Sequence, residues 1–312
     1  MNKIAIILPA FNEESTIAAT IKDFFDACPT GAIWVINNQS NDLTEKIALD
    51  TITNLGCLGG VLNERRRGKG NAIRFAFSNI DADIYVLADA DLTYPAFHVN
   101  ELIAPIINNE ADMVVGDRHS SGFYITQNKR LFHKFGNDLV RILVNKLFSA
   151  NLIDIMSGYR AFNRFFVKNY PILVEGFEIE TDMTIHALDK RFRIKEIPIN
   201  YYDRPIGSIS KLNTICDGFN VLKMIVNILR YYRPLFFFSI IGSLFFVLAL
   251  LAGAPVIKQW IYEGYITHVP LAILAAGLMI IALIFMAIGI ILDSIIQKDK
   301  RNYERDLLSS KV

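Results

Sequence analysis

Two long uncharged stretches near the end of the chain constrain its fold more than any other feature. Leu235–Ile257 and Val269–Leu292 contain no Asp, Glu, Lys or Arg. Each can cross a hydrocarbon core of about 30 Å, because a helix rises about 1.5 Å per residue. Two such stretches, separated only by the short polar segment Lys258–His268, predict a pair of transmembrane helices rather than a buried core helix.

Basic residues around the two stretches predict their orientation. Two arginines precede the first stretch and three basic residues follow the second, whereas the connecting segment has only Lys258. Because Lys and Arg are in excess on the cytoplasmic side of membrane proteins, both termini and the preceding part of the chain are expected in the cytosol. We therefore predict an integral protein of the cytoplasmic membrane. The flanking residues are Arg230, Arg233, Lys298, Lys300 and Arg301.

From residue 3 to about residue 117, short β-rich apolar segments alternate with helical patterns. This alternation predicts an α/β fold with a mostly parallel sheet and helices on both faces. Ligands then bind at the carboxyl ends of the strands, so the loops after strands are the candidate sites. The predicted strands are Ile4–Leu8, Ile33–Ile36, Gly60–Leu62, Ile84–Ala88 and Met113–Val115. The candidate loops are Pro9–Glu14, Asn37–Asp42, Glu64–Gly70 and Asp89–Pro95.

Two later segments, Leu131–Ala150 and Leu212–Tyr232, have the pattern of amphipathic helices. The second leads directly into the first uncharged stretch, so it is interpreted either as an interfacial helix in the headgroup region or as a helix packed on the sheet. We therefore expect a cytosolic domain over residues 1–210, a juxtamembrane helix over 211–233 and a membrane hairpin with its tail over 234–312.

Two carboxylates directly follow the apolar segment Ile84–Ala88. Because side chains alternate along a strand, Asp89 and Asp91 point the same way. Mg²⁺ is typically held by one or two carboxylates while substrate phosphates complete its shell. The pair therefore predicts a divalent metal site, for Mg²⁺ or Mn²⁺, with a solvated acidic turn as the alternative.

A basic, glycine-containing segment, Glu64–Gly70, leads into a predicted helix. Exposed N–H groups at a helix start, together with nearby cations, favour phosphate. Lys69, between two glycines, is the most specific part of this segment, because a run of arginines alone is more often a solvated surface.

The four loops resemble those of family 2 glycosyltransferases of the GT-A type, in order and in spacing. Three later motifs resemble the polyprenyl-phosphate branch of that family, which includes dolichol-phosphate mannose synthases. The resemblance covers roughly residues 3 to 232. The early motifs are Pro9–Glu14, Asn37–Thr44, Gly68–Ala72 and Asp89–Asp91, and the later ones are Ser157–Phe162, Gly176–Glu180 and Arg204–Leu212.

The resemblance implies roles for the matching residues. Lys69 would approach the base or the phosphates of a nucleotide sugar, and Asp89 and Asp91 would handle the diphosphate and its metal. Asp154 matches an acidic residue near the reacting centre. The alternative is that Asp154 has a structural role, as a cap or as the partner of Arg160. The residues implied to line the nucleotide pocket are Pro9, Phe11, Glu13 and Asn38. Those implied to hold an acceptor phosphate are Arg118 and Arg130. Arg204 and Lys211 lie just before the helix that leads into the membrane, where cations would meet a lipid phosphate, with snorkelling or binding of anionic headgroups as the alternative.

Three positions depart from the family pattern. Asn37 and Asn38 stand where many relatives have paired aspartates, which affects contacts to base or ribose that depend on charge. Thr93 stands where dolichol-type relatives often carry a Gln metal contact.

Glu178 and Glu180 alternate along what we interpret as an extended stretch, and both donor-sugar contacts and structural contacts are open for them.

The acceptor decides what catalysis requires. A sugar hydroxyl must lose a proton to a carboxylate base, whereas a phosphate monoester, with a second pKa of about 6, is largely ionised at neutral pH. Basic residues next to membrane helices favour a lipid phosphate, and the resemblance implies one inverting transfer per acceptor.

The expected partners are a nucleotide-sugar donor, a polyprenyl phosphate and the membrane, with a homo-oligomer possible in principle and no nucleic acid. The alternatives are a hydroxyl acceptor with Asp154 as base, or a decayed scaffold suggested by Asn37 and Asn38.

Overall fold

Seven short segments form the strands of one sheet in the computed structural model, which describes residues 2–120, 131–176, 178–202 and 214–309. The sheet lies in the first of two compact units, Met1–Gly218, and the second unit is Phe219–Val312. The strands are β1 Ile4–Ala10, β2 Ala32–Asn37, β3 Gly59–Asn63, β4 Ile84–Leu87, β5 Met113–Asp117, β6 Arg160–Asn163 and β7 Ile194–Pro198.

The strand order is β3-β2-β1-β4-β6-β5-β7. β1 pairs in parallel with both β2 and β4, and β2 pairs in parallel with β3. β6 is antiparallel to its neighbours β4 and β5, while β5 and β7 are parallel to each other. The carboxyl ends of β2, β1 and β4 therefore lie side by side at the same end of the sheet, where the loops that follow these strands meet.

Helices cover both faces of the sheet, because residues along each strand alternate between two cores. Ile6 and Leu8 belong to one buried cluster and Ile7 to the other, as the period of two along a strand requires. The helices of this unit are α1 Ile17–Ala27, α2 Thr44–Leu55, α3 Lys69–Asn79, α4 Val99–Ile107, α5 Leu131–Phe148, α6 Arg164–Asn169 and α7 Ile179–Asp189.

The predicted α/β fold, with a mostly parallel sheet and helices on both faces, is confirmed. The five predicted strands are present, but β6 and β7 were not predicted. β6 has only four residues and begins with the fully buried Arg160, and β7 has the polar pattern Ile-Lys-Glu-Ile-Pro, so neither shows the apolar run that marks the others.

The chain continues with α8 Thr214–Tyr232, α9 Pro234–Glu263 and α10 Val269–Ser309. The last two contain the uncharged stretches and are long and apolar enough to cross a membrane. Both extend past the predicted spans, since the helical backbone continues through the polar residues that follow. α9 ends where Gly264 adopts a left-handed conformation, with φ of 74°.

Small residues bring α9 and α10 close together. A side chain at Gly242 would begin 3.1 Å from the Ala282 carbonyl oxygen and 3.2 Å from Met286 Cγ. Gly277, by contrast, has no atom within 4 Å of the position that a Cβ would occupy. Apolar helices that cannot rely on the hydrophobic effect associate through such close packing.

The two glycines predict opposite tolerance to a large side chain. Gly242→Leu should destabilise the hairpin by about 1–3 kcal/mol through overpacking, whereas the matched Gly277→Leu should have little effect. Thermal unfolding of both variants in the same detergent measures the difference. Equal melting temperatures would contradict the packing described for α9 and α10.

Candidate active site

The Asp89–Asp91 turn follows β4 and is fixed from two sides. Asp91 is 3% exposed, and one of its carboxylate oxygens accepts hydrogen bonds from the Thr93 hydroxyl at 2.6 Å and the Thr93 N–H at 3.2 Å. The Ala90 carbonyl accepts from the hydroxyls of Thr16 and Thr20, at the start of α1. Thr93 therefore orients Asp91 in this chain.

Lys69, the first residue of α3, is the centre of a buried ion cluster. Its ammonium group contacts one carboxylate oxygen of Asp89 and lies 2.6 Å from a carboxylate oxygen of Glu180, in the first turn of α7. The side chains of Lys69 and Glu180 are only 10% and 7% exposed. One cation thus joins the end of β4 to the starts of two helices.

The two carboxylates keep Lys69 charged. Burial alone would lower the pKa of Lys69, but the charges of Asp89 and then Glu180 outweigh burial and raise that pKa above its usual value. The ammonium group therefore remains a fixed positive charge in the site at physiological pH.

The glycines beside Lys69 serve close backbone packing. A Cβ at Gly68, where φ is 125°, would lie 2.2 Å from the Glu175 carbonyl oxygen, and a Cβ at Gly70 would lie 2.2 Å from the Val174 carbonyl oxygen. The Gly70 N–H donates to the Glu175 carbonyl at 3.0 Å. The interpretation of this helix start as a set of exposed N–H groups is therefore wrong for Gly70, whose donor is already used.

Glu178 and Glu180 do not alternate along an extended stretch as expected. Glu178 is the residue before α7, and Glu180 lies in its first turn. Acidic residues are favoured at this position because they complement the positive end of the helix dipole. Glu180 is buried against Lys69, whereas Glu178 is exposed.

The four residues expected at the nucleotide pocket lie at the carboxyl ends of β1 and β2. Pro9 is within β1, and the Phe11 ring lies under the Arg67 guanidinium, 4.8 Å from its carbon to the ring centroid. The N–H of the buried Glu13 donates to the Thr44 hydroxyl at 2.8 Å. Asn38 follows β2 directly.

The amide of Asn38 holds the basic loop in place. Its N–H₂ group donates to the Arg66 carbonyl and its oxygen accepts from the Gly68 N–H, both at 2.7 Å. Asn37 likewise donates to a side-chain oxygen of Asn63 at 2.8 Å. A carboxylate could not donate either bond, so the structure gives both departures from the aspartate pattern a positive role.

Arg118 and Asp154 form a second buried ion pair. Two nitrogens of the Arg118 guanidinium donate to the two carboxylate oxygens of Asp154, at 2.7 Å and 2.9 Å. Burial alone would raise the pKa of Asp154, but Arg118 outweighs burial and holds that pKa below its usual value. A carboxylate held in this way is a weak proton acceptor.

Asp154 does not pair with Arg160, contrary to the structural alternative considered for it. Arg160 is fully buried and donates to the carbonyls of Ser157 and Ile155, each at 2.8 Å, and to the Thr184 hydroxyl at 2.9 Å. Arg160 therefore shapes the loop between Asp154 and β6 through backbone contacts.

Tyr94 lies between the two ion clusters and was not identified from the sequence. Its hydroxyl accepts the Gly158 N–H at 2.9 Å and lies 3.5 Å from a terminal nitrogen of Arg118. A Cβ at Gly158 would be 3.0 Å from Asp89 and 3.2 Å from the Lys69 nitrogen. Burial raises the pKa of Tyr94, which therefore remains a neutral phenol. The signal that could have identified Tyr94 from the sequence is its position in the candidate loop Asp89–Pro95, which follows β4.

Three residues expected to hold an acceptor phosphate lie outside the described part of the chain. They are Arg130, Arg204 and Lys211. Of the predicted phosphate ligands, Arg118 is therefore the one that the structure places. It directly follows β5, and one of its terminal nitrogens lies 3.5 Å from the Tyr94 hydroxyl.

The sequence profile described as glycosyl transferase family 2 matches residues 5–170, which contain β1 to β6 and most of the residues above. The chain belongs to this family. It is a glycosyltransferase, as the motifs predicted, and its fold is of the GT-A type.

Two curated relatives match nearly the whole length of this family 2 chain. Glycosyltransferase AglJ of Haloferax volcanii is 26% identical over 303 residues, which are 97% of this chain and 96% of the relative. An undecaprenyl-phosphate 4-deoxy-4-formamido-L-arabinose transferase of Klebsiella pneumoniae is 24% identical, over 93% of this chain and 84% of the relative.

Among solved structures, glucosyl-3-phosphoglycerate synthase of Mycobacterium tuberculosis has a similar fold. It superposes with a TM-score of 0.56 and 22% identity, over 73% of this chain and 80% of that chain. At this identity the likeness concerns the fold of the glycosyltransferase domain.

The cluster around Lys69 predicts a large loss of stability when the cation is removed. Lys69→Met should cost about 3–5 kcal/mol, because it leaves the buried Glu180 and the partly exposed Asp89 without their cation. Adding Glu180→Gln should recover part of that loss by removing one of the two charges. Lys195→Met, which breaks an exposed pair with Glu110, is the control and should cost less than about 1 kcal/mol.

Thermal or denaturant unfolding of the purified full chain measures these differences. If Lys69→Met lowered the free energy of unfolding no more than Lys195→Met does, the cluster would not be the stabilising unit described here. The same conclusion would follow if the double variant were less stable than Lys69→Met alone.

Proposed function

We propose that this glycosyltransferase moves one sugar from a nucleotide-sugar donor to a polyprenyl phosphate at the cytoplasmic face of the membrane, with inversion at the anomeric carbon. The acceptor would be of the undecaprenyl or dolichyl phosphate type. The name of the Klebsiella relative, an undecaprenyl-phosphate transferase, supports this acceptor class.

The observation that carries the proposal is that four acidic side chains in the described part of the site are each held by a partner. Lys69 contacts two of them, Arg118 holds the third, and the fourth accepts hydrogen bonds from Thr93. A general base must be able to take a proton from the nucleophile. A phosphate monoester needs no such base, so the arrangement favours an acceptor that is already ionised. The four residues are Asp89, Asp91, Asp154 and Glu180.

The acceptor phosphate would bind at Arg118, with Arg130, Arg204 and Lys211 as further ligands. A planar guanidinium can donate two parallel hydrogen bonds to phosphate oxygens, which suits arginine to this role. Asp154 orients the Arg118 guanidinium through its bidentate contact and is thus assigned a positioning role rather than the role of base.

The donor would bind across Pro9, Phe11, Glu13 and Asn38, with its diphosphate near Lys69. Asp89 and Asp91 would hold a divalent cation, Mg²⁺ or Mn²⁺. They fit such an ion, because they supply hard oxygen ligands from one turn and leave further positions to phosphate oxygens. When bound, the cation would neutralise charge that develops on the departing diphosphate. A structure of similar fold is a complex with Mn²⁺ and uridine-diphosphate-glucose, which supports this assignment.

The membrane arrangement proposed here follows the order of segments along the chain. A catalytic domain over 1–210 precedes a juxtamembrane helix over 211–233 and the hairpin over 234–312. The basic residues flanking the hairpin support a cytosolic position for the catalytic domain and both termini. Synthesis would then take place where nucleotide sugars are available.

The reaction can be tested directly. Membranes containing the protein are incubated with a panel of radiolabelled nucleotide sugars and either undecaprenyl phosphate or undecaprenol, with Mn²⁺ or with a chelator. We expect labelled lipid with one donor, only with the phosphorylated lipid, and only with metal. Labelling of undecaprenol at a comparable rate would contradict the proposed acceptor.

Neutral variants separate the role of Asp154 from that of Asp91. We expect Asp91→Asn to lower kcat at least about 100-fold, and Asp154→Asn to leave kcat within about tenfold, because a true general base contributes about 100- to 10,000-fold. Asp112→Asn, which weakens a distant bidentate pair with Arg193, is the control and should not change kcat. A loss with Asp154→Asn as large as that with Asp91→Asn would instead support a hydroxyl acceptor.

A further inference from the structure

The phenol of Tyr94 occupies a position between the two charged groups of the site. Its oxygen receives the Gly158 N–H at 2.9 Å, and a terminal Arg118 nitrogen lies 3.5 Å away. Gly158 in turn lies against Asp89 and the Lys69 ammonium group. Tyr94 therefore connects the proposed donor side of the site with the proposed acceptor side.

The hydrogen of this phenol is not used within the described residues of the chain. A phenol has one donor and can accept two hydrogen bonds, and here both observed contacts are accepted by the oxygen. Two other buried tyrosines of the domain donate internally: Tyr85 to the Ile80 carbonyl at 3.0 Å and Tyr170 to Asp182 at 2.7 Å. Tyr94 differs from these two because its contacts orient the oxygen and leave the O–H to a ligand.

The surroundings indicate what that ligand is. Two ion clusters lie near Tyr94: Lys69 is paired with Asp89 and Glu180, and Arg118 is paired with Asp154. An unused phenol O–H needs a ligand with an oxygen acceptor, and both substrates of the proposed function carry phosphate oxygens, whose charge a divalent cation on Asp89 and Asp91 would offset. A phenol O–H to a charged oxygen is one of the stronger hydrogen bonds.

We propose that Tyr94 is a substrate-binding residue whose phenol O–H donates a hydrogen bond to a phosphate oxygen, of either the donor diphosphate or the acceptor lipid. The inference rests on the proposed function, since it requires phosphate on both substrates. It adds a ligand that neither the motifs nor the ion pairs assigned.

The test compares Tyr94→Phe with Tyr159→Phe in the full-length protein. The Tyr159 ring packs against Tyr94, with centroids 5.5 Å apart, and its buried hydroxyl has no hydrogen-bond partner among the described residues. The two variants therefore remove the same atom from neighbouring rings, one with a proposed ligand and one without. Two constants are measured: the Kd of UDP or GDP with Mn²⁺ by calorimetry, and the KM of undecaprenyl phosphate.

We expect Tyr94→Phe to raise either the Kd or the KM by about 10- to 100-fold. This is the effect expected when a hydrogen bond to a charged group is lost. A change in the Kd assigns the donor diphosphate, and a change in the KM assigns the acceptor phosphate. Tyr159→Phe should leave both unchanged. Values within twofold of wild type for Tyr94→Phe would overturn the proposal.

A second measurement separates donation to substrate from support of Gly158, and it applies even if Tyr94→Phe does not fold. Incorporation of 3-fluorotyrosine at position 94 makes the phenol a stronger donor and a poorer acceptor. The proposal expects tighter binding of the affected substrate. Unchanged or weaker binding would mean that the hydroxyl acts only as the acceptor for the Gly158 N–H, which overturns the proposal.

The wild-type protein distinguishes this inference from the proposed function. If wild type binds nucleotide with Mn²⁺ but transfers no sugar to undecaprenyl phosphate, the proposed acceptor is wrong, while the calorimetric comparison still decides the donor contact of Tyr94. If wild type is active and Tyr94→Phe behaves like Tyr159→Phe, the inference alone is wrong. Failure of wild type to bind any member of a panel of nucleoside diphosphates with Mn²⁺ would overturn both.

Discussion

The contact of one lysine ammonium group with two carboxylates is the interaction on which the rest of the site depends. Lys69 begins α3, Asp89 follows β4 and Glu180 begins α7, so this cluster fixes three elements at the edge of the sheet. Gly68 and Gly70 let segment 174–175 approach closely enough to bring α7 into reach. Because buried charges without partners are costly, the cluster makes the fold and the arrangement of charge in the site mutually dependent.

A second ion pair extends the same principle to the other side of the site. Asp154 holds the guanidinium of Arg118 at two points, and Arg160 shapes the intervening loop through carbonyl contacts. In our proposal the carboxylates in these pairs orient cations and do not act as bases. Lys69, Arg118 and a divalent cation on Asp89 and Asp91 would contact the phosphates, and the nucleophile would arrive already ionised. Tyr94 lies where the two ion clusters meet.

The sequence was sufficient for the fold class, five strands, the glycosyltransferase family and the two apolar helices, because each depends on local patterns. β6 and β7 could not be predicted, since one begins with a buried arginine and the other is largely polar. The pairing of Lys69 with Glu180 joins residues more than 100 positions apart, and only the folded chain brings them together. The same holds for Asp154, whose partner is Arg118 and not the nearby Arg160.

The central claim is that attack comes from an acceptor phosphate ionised in advance, and the pH dependence of kcat/KM for undecaprenyl phosphate tests it most directly. The account predicts that this constant falls below about pH 6, the second pKa of a phosphate monoester, with the same apparent pKa in wild type and in Asp154→Asn. An acidic limb present in wild type and absent from Asp154→Asn would show that the carboxylate takes the proton, and would contradict the account.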